Sequence, residues 1–377
     1  MAMALRGRGG ARKTPRNAVL LQGMQAAPLH ADRCDLPPRR PKTIHMTLHR
    51  RSLLALAAGA LGPSGSLLAT AARAADAYPN HALRWIVAYP AAGGSDFLAR
   101  QLAPQMGKQM GQTIVVDNRP GAAGIIGTEA ASKQPGDGYT LLTGDNGAMV
   151  FHTALYKTLP YNPADFVPIG FMASFPLILA VNPNAGFTSA AQFVDLVKRN
   201  PGKYSYASPG AGSPHHLAME LFKQRTGSFI VHVPYRGTAP AMQDVLSGQV
   251  PMMIIDTAAG LAQIKSGRLK ALAVLSPHRI ALLPDVPTLA EVGDPALKGF
   301  QAEAWQALFA PKGTPPEIAR RLTAEMHQAI LTPDVKARLE AFGLEVAPGD
   351  GPQLAAFIQK ETAFWHALIR ERHLTLD

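Results

Sequence analysis

Cysteine is almost missing: the 377 residues contain one, Cys34, within an N-terminal segment that has the character of a removable leader. A mature chain without thiols has no disulfide framework, no Cys-based metal site and no cysteine nucleophile. Long apolar runs are missing too. The apolar run nearest the N-terminus, Leu53 to Leu61, is broken by Gly62-Pro63 and falls well short of the ~20 residues that span a bilayer. Charge is sparse, with 17% Asp, Glu, Lys and Arg against 47% hydrophobic residues. That balance excludes a disordered or fibrous chain and allows one large core or two ordinary ones.

The formal net charge of +11 is confined to one end. Residues 1–74 hold 12 Lys and Arg and two acids, Asp32 and Asp35; taken from totals of 37 and 26, these leave 25 basic and 24 acidic residues in 75–377, a net of +1. A near-neutral globular part argues against a nucleic-acid partner. The basic segment instead has the order of an export signal: His49-Arg50-Arg51, then the apolar run, then the small-x-small site Ala72-Arg73-Ala74. Residues 46–74 are therefore read as a signal peptide cleaved near Ala74, which places the mature chain in the periplasm. Met46 is a candidate start, leaving 1–45 either a disordered leader or a mis-assigned start. Arg50-Arg51 ahead of an apolar stretch suits the twin-arginine route or ordinary secretion.

From Leu83 onward short β-rich runs alternate with amphipathic stretches, the order of an α/β protein with mainly parallel sheets covered by helices. Trp85 to Tyr89 reads as a strand, Pro90 to Asp96 as a glycine-rich turn, and Phe97, Leu98, Leu102, Met106 and Met110 as one face of a helix. Strands at Ile114 to Val116 and Tyr139 to Thr143 continue this first sheet. A second series begins at Leu177 to Val181 and continues through Tyr204 to Ala207, Ile230 to Val233, Met252 to Ile255 and Ala271 to Leu275. Its helices open with Ser189-Ala190-Ala191-Gln192, a capping box, and with Ser213-Pro214, a Ser cap before Pro. Thr314-Pro315-Pro316-Glu317 has the same capping-box form, and two closing helices follow near Pro333 to Phe342 and Pro352 to Arg372.

Each series has one glycine-rich strand-to-helix turn: Ala92-Gly93-Gly94-Ser95-Asp96 in the first, and Ser208-Pro209-Gly210-Ala211-Gly212-Ser213 in the second. Such turns leave backbone N–H groups pointing outward at a helix N-terminus, a site for an anion. Two of them in separate sheets point to one ligand between the strands' carboxyl ends. Asp96 is open to two roles, orienting a ligand group or favouring the helix N-terminus. His216, in the first turn of its helix, is read as polar toward the cleft or solvated. Catalytic readings are weak. Gly121 to Gly127 mimics a dinucleotide fingerprint with too long a first gap, and His215-His216 lacks the spacing and acidic companion of a zinc site. No cofactor and no metal are expected.

These segments resemble the Bug-type receptors, the substrate-binding components of tripartite tricarboxylate transporters. The likeness runs from about Tyr78 to the C-terminus and rests on Arg84 to Arg100, Gly111 to Gly124, Gly136 to Leu141, Leu159 to Tyr161, Tyr206 to Ser213, His232 to Gly237 and Leu283 to Thr288. The resemblance implies a hinged two-lobed periplasmic-binding-protein fold. It implies that a small carboxylate is held by main-chain groups at the two loops, and that Thr143, Asp145, Asn146, Asp256 and Thr257 help choose it. Integral-membrane transporter subunits are the implied partners, with a membrane sensor as an alternative reader and an exported hydrolase as a weaker rival. A monomer is expected, with residues 80–176 plus 298–377 as one lobe and 177–297 as the other. Ala92 stands where the family usually has glycine, while Phe151-His152-Thr153 and Pro251 depart from its pattern near the expected cleft.

Overall fold

The computed structural model describes residues 78–376. The leader over 1–45, the export signal with its cleavage site at Ala74, and Cys34 lie outside the described residues.

The first series is β1 (Leu83–Val87), α1 (Gly94–Met110), β2 (Ile114–Asn118), α2 (Ile125–Ser132) and β3 (Thr140–Asp145). β1 pairs in parallel with β2 and β3. α1 buries Leu98, Leu102, Met106 and Met110, and Phe97, half-buried, stacks on Phe342 with ring centres 3.9 Å apart. The short α3 (His152–Leu155) leads to β4 (Phe166–Val181). The second series is α4 (Ala190–Arg199), β5 (Ser205–Ser208), α5 (Pro214–Thr226), β6 (Val231–Pro234), α6 (Thr238–Leu246), β7 (Met252–Asp256), α7 (Thr257–Lys265) and β8 (Lys270–Val274). Here β5 is parallel to β6 and β7. The chain closes with β9 (Glu303–Pro311), α8 (Pro316–Ile330), α9 (Pro333–Phe342), β10 (Glu345–Asp350) and α10 (Gly351–Glu371).

The expected parallel pairing holds within each outer group, but the middle of the molecule is antiparallel. Strand order is β2-β1-β3-β9-β4-β7-β5-β6, with β8 and β10 also on β4. β4 runs antiparallel to β9 over Phe166 to Pro176 and to β7 and β8 over Leu177 to Val181. One strand thus serves both groups and changes partners between Pro176 and Leu177. Its side chains alternate between two cores: Leu177, Leu179 and Val181 join the large one around Trp85 and Trp305, and Ile178 and Ala180 the smaller one with Val245, Met253, Ile255 and Val274.

Local capping follows the sequence with two changes. Ser213 caps α5 by accepting from the His216 N–H, with Pro214 in the first turn. Ser189 accepts from the Gln192 N–H at 3.2 Å, but the Gln192 side chain accepts from the Thr188 N–H at 2.6 Å, so that box closes one residue early. No box forms at Thr314. Its hydroxyl donates to the Pro311 carbonyl at 2.8 Å, and Pro315, at the capping position, makes no side-chain cap.

Candidate functional site

β3 ends at Asp145, which pairs with Gln306, and Gln306 pairs in turn with Ala173 of β4. β7 ends at Asp256, which pairs with Leu177 of β4. Because β1 is parallel to β3 and β5 to β7, the carboxyl ends of both parallel groups converge on residues 173–177. The loops that follow those strands are Ala92 to Asp96, Asp145 to Phe151, Ser208 to Ser213 and the start of α7.

The first loop is held from behind. Asp96 is buried, and its carboxylate accepts from the Ala92 N–H at 2.8 Å, from Arg100 Nε at 2.8 Å and from Asn118 Nδ2 at 2.9 Å. Arg100 Nη2 also donates to Asn118 Oδ1 at 2.8 Å, closing the network. Burial opposes the Asp96 charge, but the Arg100, Ala92 and Asn118 bonds outweigh it and hold its carboxyl below the usual carboxylate range. Ala92 takes a left-handed φ of 65°, and no side chain caps the start of α1 at Gly93. The N–H groups of its first turn therefore meet no capping oxygen. Gly94 lies against the Phe175 ring, where an ideal Cβ would come within 2.7 Å of Cε1. The first loop thus touches β4 at the point of convergence.

The second loop satisfies much of itself. Gly210 N donates to Ser208 Oγ at 3.2 Å, Ser213 N to the Gly210 carbonyl at 3.2 Å, and Gly212 N to His216 Nδ1 at 3.1 Å. Behind it His216 stacks on His232 at 4.1 Å, and His232 Nε2 lies 2.6 Å from Ser208 Oγ. His216 is therefore a buried support of the loop rather than a solvated group, and burial drives its ring down to about 4. Glu220, beneath it, accepts from Lys223, Tyr206 and Arg372. Gly212 itself is enclosed: at φ 79° its Cβ would stand 2.7 Å from Leu376 and 3.1 Å from Leu155.

Other residues singled out in the sequence have their side chains engaged inside the protein. Thr143 Oγ1 accepts from Trp85 Nε1 at 2.8 Å. The Asp145 carboxylate accepts from the Tyr89 hydroxyl and, at 2.8 Å, from the Ala148 N–H; burial pushes its carboxyl up. Thr257 donates to the Gly343 carbonyl. Asn146 Nδ2 donates to the Glu303 carbonyl at 2.9 Å. Asp256 caps α7 through Ala259 N at 2.8 Å and lies 3.3 Å from His215 Nε2. Burial works against its charge, but the His215 and Ala259 contacts hold its carboxyl below the usual range.

Sequence reasoning missed Tyr89, Phe175 and His215, and the tail at Leu376. His215 carried a signal, a second histidine beside His216, yet a zinc-site test could not find its partner 41 residues away. Among the described residues no group of three His, Cys, Asp or Glu comes together to hold a metal.

Two parallel strand groups whose glycine-rich loops lie at strand ends converging on one shared strand match the architecture of periplasmic binding proteins. The family model for the tripartite tricarboxylate transporter family receptor matches residues 98–374. BugT of Bordetella pertussis is 39% identical over 316 residues, covering 81% of this chain and 95% of BugT. Among solved structures, Rpa4515 of R. palustris with adipate is 31% identical with a TM-score of 0.73, covering 79% of this chain and 100% of its own. The periplasmic binding protein BugD is 33% identical with a TM-score of 0.69, at 79% and 100% coverage. The chain belongs to the tripartite tricarboxylate transporter receptor family, whose members are solute-binding receptors and not enzymes.

Proposed function

We infer that this protein is a periplasmic receptor that captures a small organic carboxylate and hands it to the membrane subunits of a tripartite tricarboxylate-type transporter. The observation that carries the reading is the uncapped start of α1 at Gly93 and Gly94, seated on Phe175 where the two strand groups converge. The first-turn N–H groups of α1 and the hydroxyl of Ser95 receive one carboxylate, aided by the positive end of the helix dipole. Each charge-assisted bond contributes roughly 1.5–3 kcal/mol, so a few suffice for a micromolar complex after association costs. The second loop, with the N–H groups of Gly210, Gly212 and Ser213 turned inward, contributes its shape and the dipole of α5.

The change of partners along β4 supports a division into two lobes, residues 80–176 plus 298–377 and residues 177–297. Adipate in the Rpa4515 structure and the periplasmic setting of BugD support the ligand class and the compartment. A thermal-shift screen tests the reading. Mono-, di- and tricarboxylates at ~100 times their dissociation constant raise stability by roughly 2.7 kcal/mol. Shifts with neutral sugars or cations alone overturn it.

A further inference from the structure

Besides Gln306 Oε1 and Trp305 Nε1, two polar atoms near the convergence lack a hydrogen-bond partner on side chains about nine-tenths or more buried: Asn146 Oδ1 and His215 Nδ1. Buried polar atoms are nearly always paired, and one left bare is costly. The neighbours fix the character of the first atom, and that of the second when its ring is neutral. Asn146 faces the Glu303 carbonyl at 2.9 Å, and only an amide NH₂ can donate to a carbonyl, so the free atom is the oxygen acceptor. In its neutral form His215 donates from one ring nitrogen to the Asp256 carboxylate at 3.3 Å and presents the other as a bare lone pair, directed away from Asp256.

The anchors of the two acceptors meet on β4. Glu303, the anchor of Asn146, pairs with Pro176, and Asp256, the anchor of His215, pairs with Leu177. The anchors therefore flank consecutive residues of β4 on its two sides, about two strand spacings or ~10 Å apart. That separation suits a small molecule lying over the strand. His215 is also in the first turn of α5, directly after the second glycine loop.

We propose that Asn146 Oδ1 and His215 Nδ1 form a second pole of the ligand site, which receives hydrogen-bond donors from the ligand, and that the preferred ligands are carboxylates carrying a hydroxyl or ammonium group. This rests on the carboxylate-receptor reading above. The donor-rich start of α1 takes the carboxylate, and the acceptors take the O–H or N–H groups. Asp256, held ionised, positions the His215 ring and adds a negative charge that favours an ammonium over a second carboxylate.

The test is calorimetry at about pH 8 on the full mature chain with matched sets: succinate, malate and aspartate; butyrate, 3-hydroxybutyrate and 4-aminobutyrate. The parent is expected to bind the donor-bearing member of at least one set about tenfold or more tightly than the unsubstituted acid, since a site built for a hydroxyl rejects the analogue that lacks it. His215→Leu and Asn146→Leu, each checked for cooperative unfolding, are expected to bring that ratio close to one. Equal affinities within every set in the parent overturn the proposal, as does a ratio that survives both substitutions in folded protein. Binding of carboxylates without distinction leaves the receptor reading standing and removes only the second pole; no binding of any carboxylate removes both.

Discussion

The Phe175 ring lies against Gly94 so closely that an ideal Cβ on the glycine would stand 2.7 Å from Cε1 and 2.8 Å from Cζ. The contact joins the start of α1 to the strand shared by both groups. Any side chain at position 94 must push either the loop or a buried aromatic ring. Gly94→Val is expected to reduce carboxylate affinity at least about tenfold, and to cost about 1–3 kcal/mol of stability through overpacking. Calorimetry and urea unfolding on the same preparation check both numbers; unchanged affinity in folded protein would remove the first loop from the site.

Asp96 holds the first loop from behind. Its carboxylate receives Ala92 N, Arg100 and Asn118, so Asp96→Asn should weaken all carboxylates alike and destabilise the protein by about 1–3 kcal/mol. The folded carboxyl is held below its ordinary value of 3.8. A depressed acid stabilises the fold above its unfolded pKa and loses that contribution as pH falls through the folded one. The gap between parent and Asp96→Asn should therefore be full at neutral pH and close below about pH 4. A gap that widens with acidity would show that the charge is not what holds the loop.

The second loop is less free than its glycines suggest. A glycine-rich turn with its N–H groups pointing outward would leave room for a larger residue at Gly212. Instead Gly212 has φ 79° and sits between Leu376 and Leu155. Gly212→Val is expected to cost about 2–4 kcal/mol, from left-handed strain and overpacking together. Shortening Leu376 to Ala in the same chain should recover part of that loss, and a double-mutant cycle by urea unfolding measures the coupling. Strict additivity of the two changes would mean the tail does not press on the loop.

Acid should begin to destabilise the protein above the ordinary carboxylate range. Burial drives His152 and His216 down to about 4 and, with the His216 charge adding to it, His232 to about 3. Between pH 6.5 and 5 the unfolded chain takes up protons at these rings that the fold refuses, so stability falls with pH. Glu303 works in the opposite sense, because burial and the Glu345 charge push it up to about 7; buried Asp145 and Glu361, also raised, do the same. The net slope is on the order of 1–3 kcal/mol per pH unit. Urea unfolding at pH 7, 6 and 5 should show it, and His152→Phe should flatten it by up to about 1.4 kcal/mol per unit. A profile that His152→Phe leaves unchanged would contradict the burial of that ring.

The local devices were legible because each is written in a few neighbouring residues. The inner face of α1, the Ser213 cap with Pro214, and both glycine-rich turns depend on spacing, N–H geometry and backbone preference within one turn of chain. β4 was only half legible. Its first part carries Pro168 and Pro176, which read as breakers, and both of its faces are buried; a strand covered on both sides shows no polar alternation. β9, apolar along nearly its whole length, was missed for the same reason. Those two strands place the antiparallel middle and so decide where the loops meet. The partners that define the site followed from that meeting alone: Gly94 with Phe175, His215 with Asp256, and Gly212 with Leu376. Such pairs join groups far apart in the chain. Neighbouring residues prescribe a turn or a cap, whereas only strand order and register determine which distant group stands opposite it.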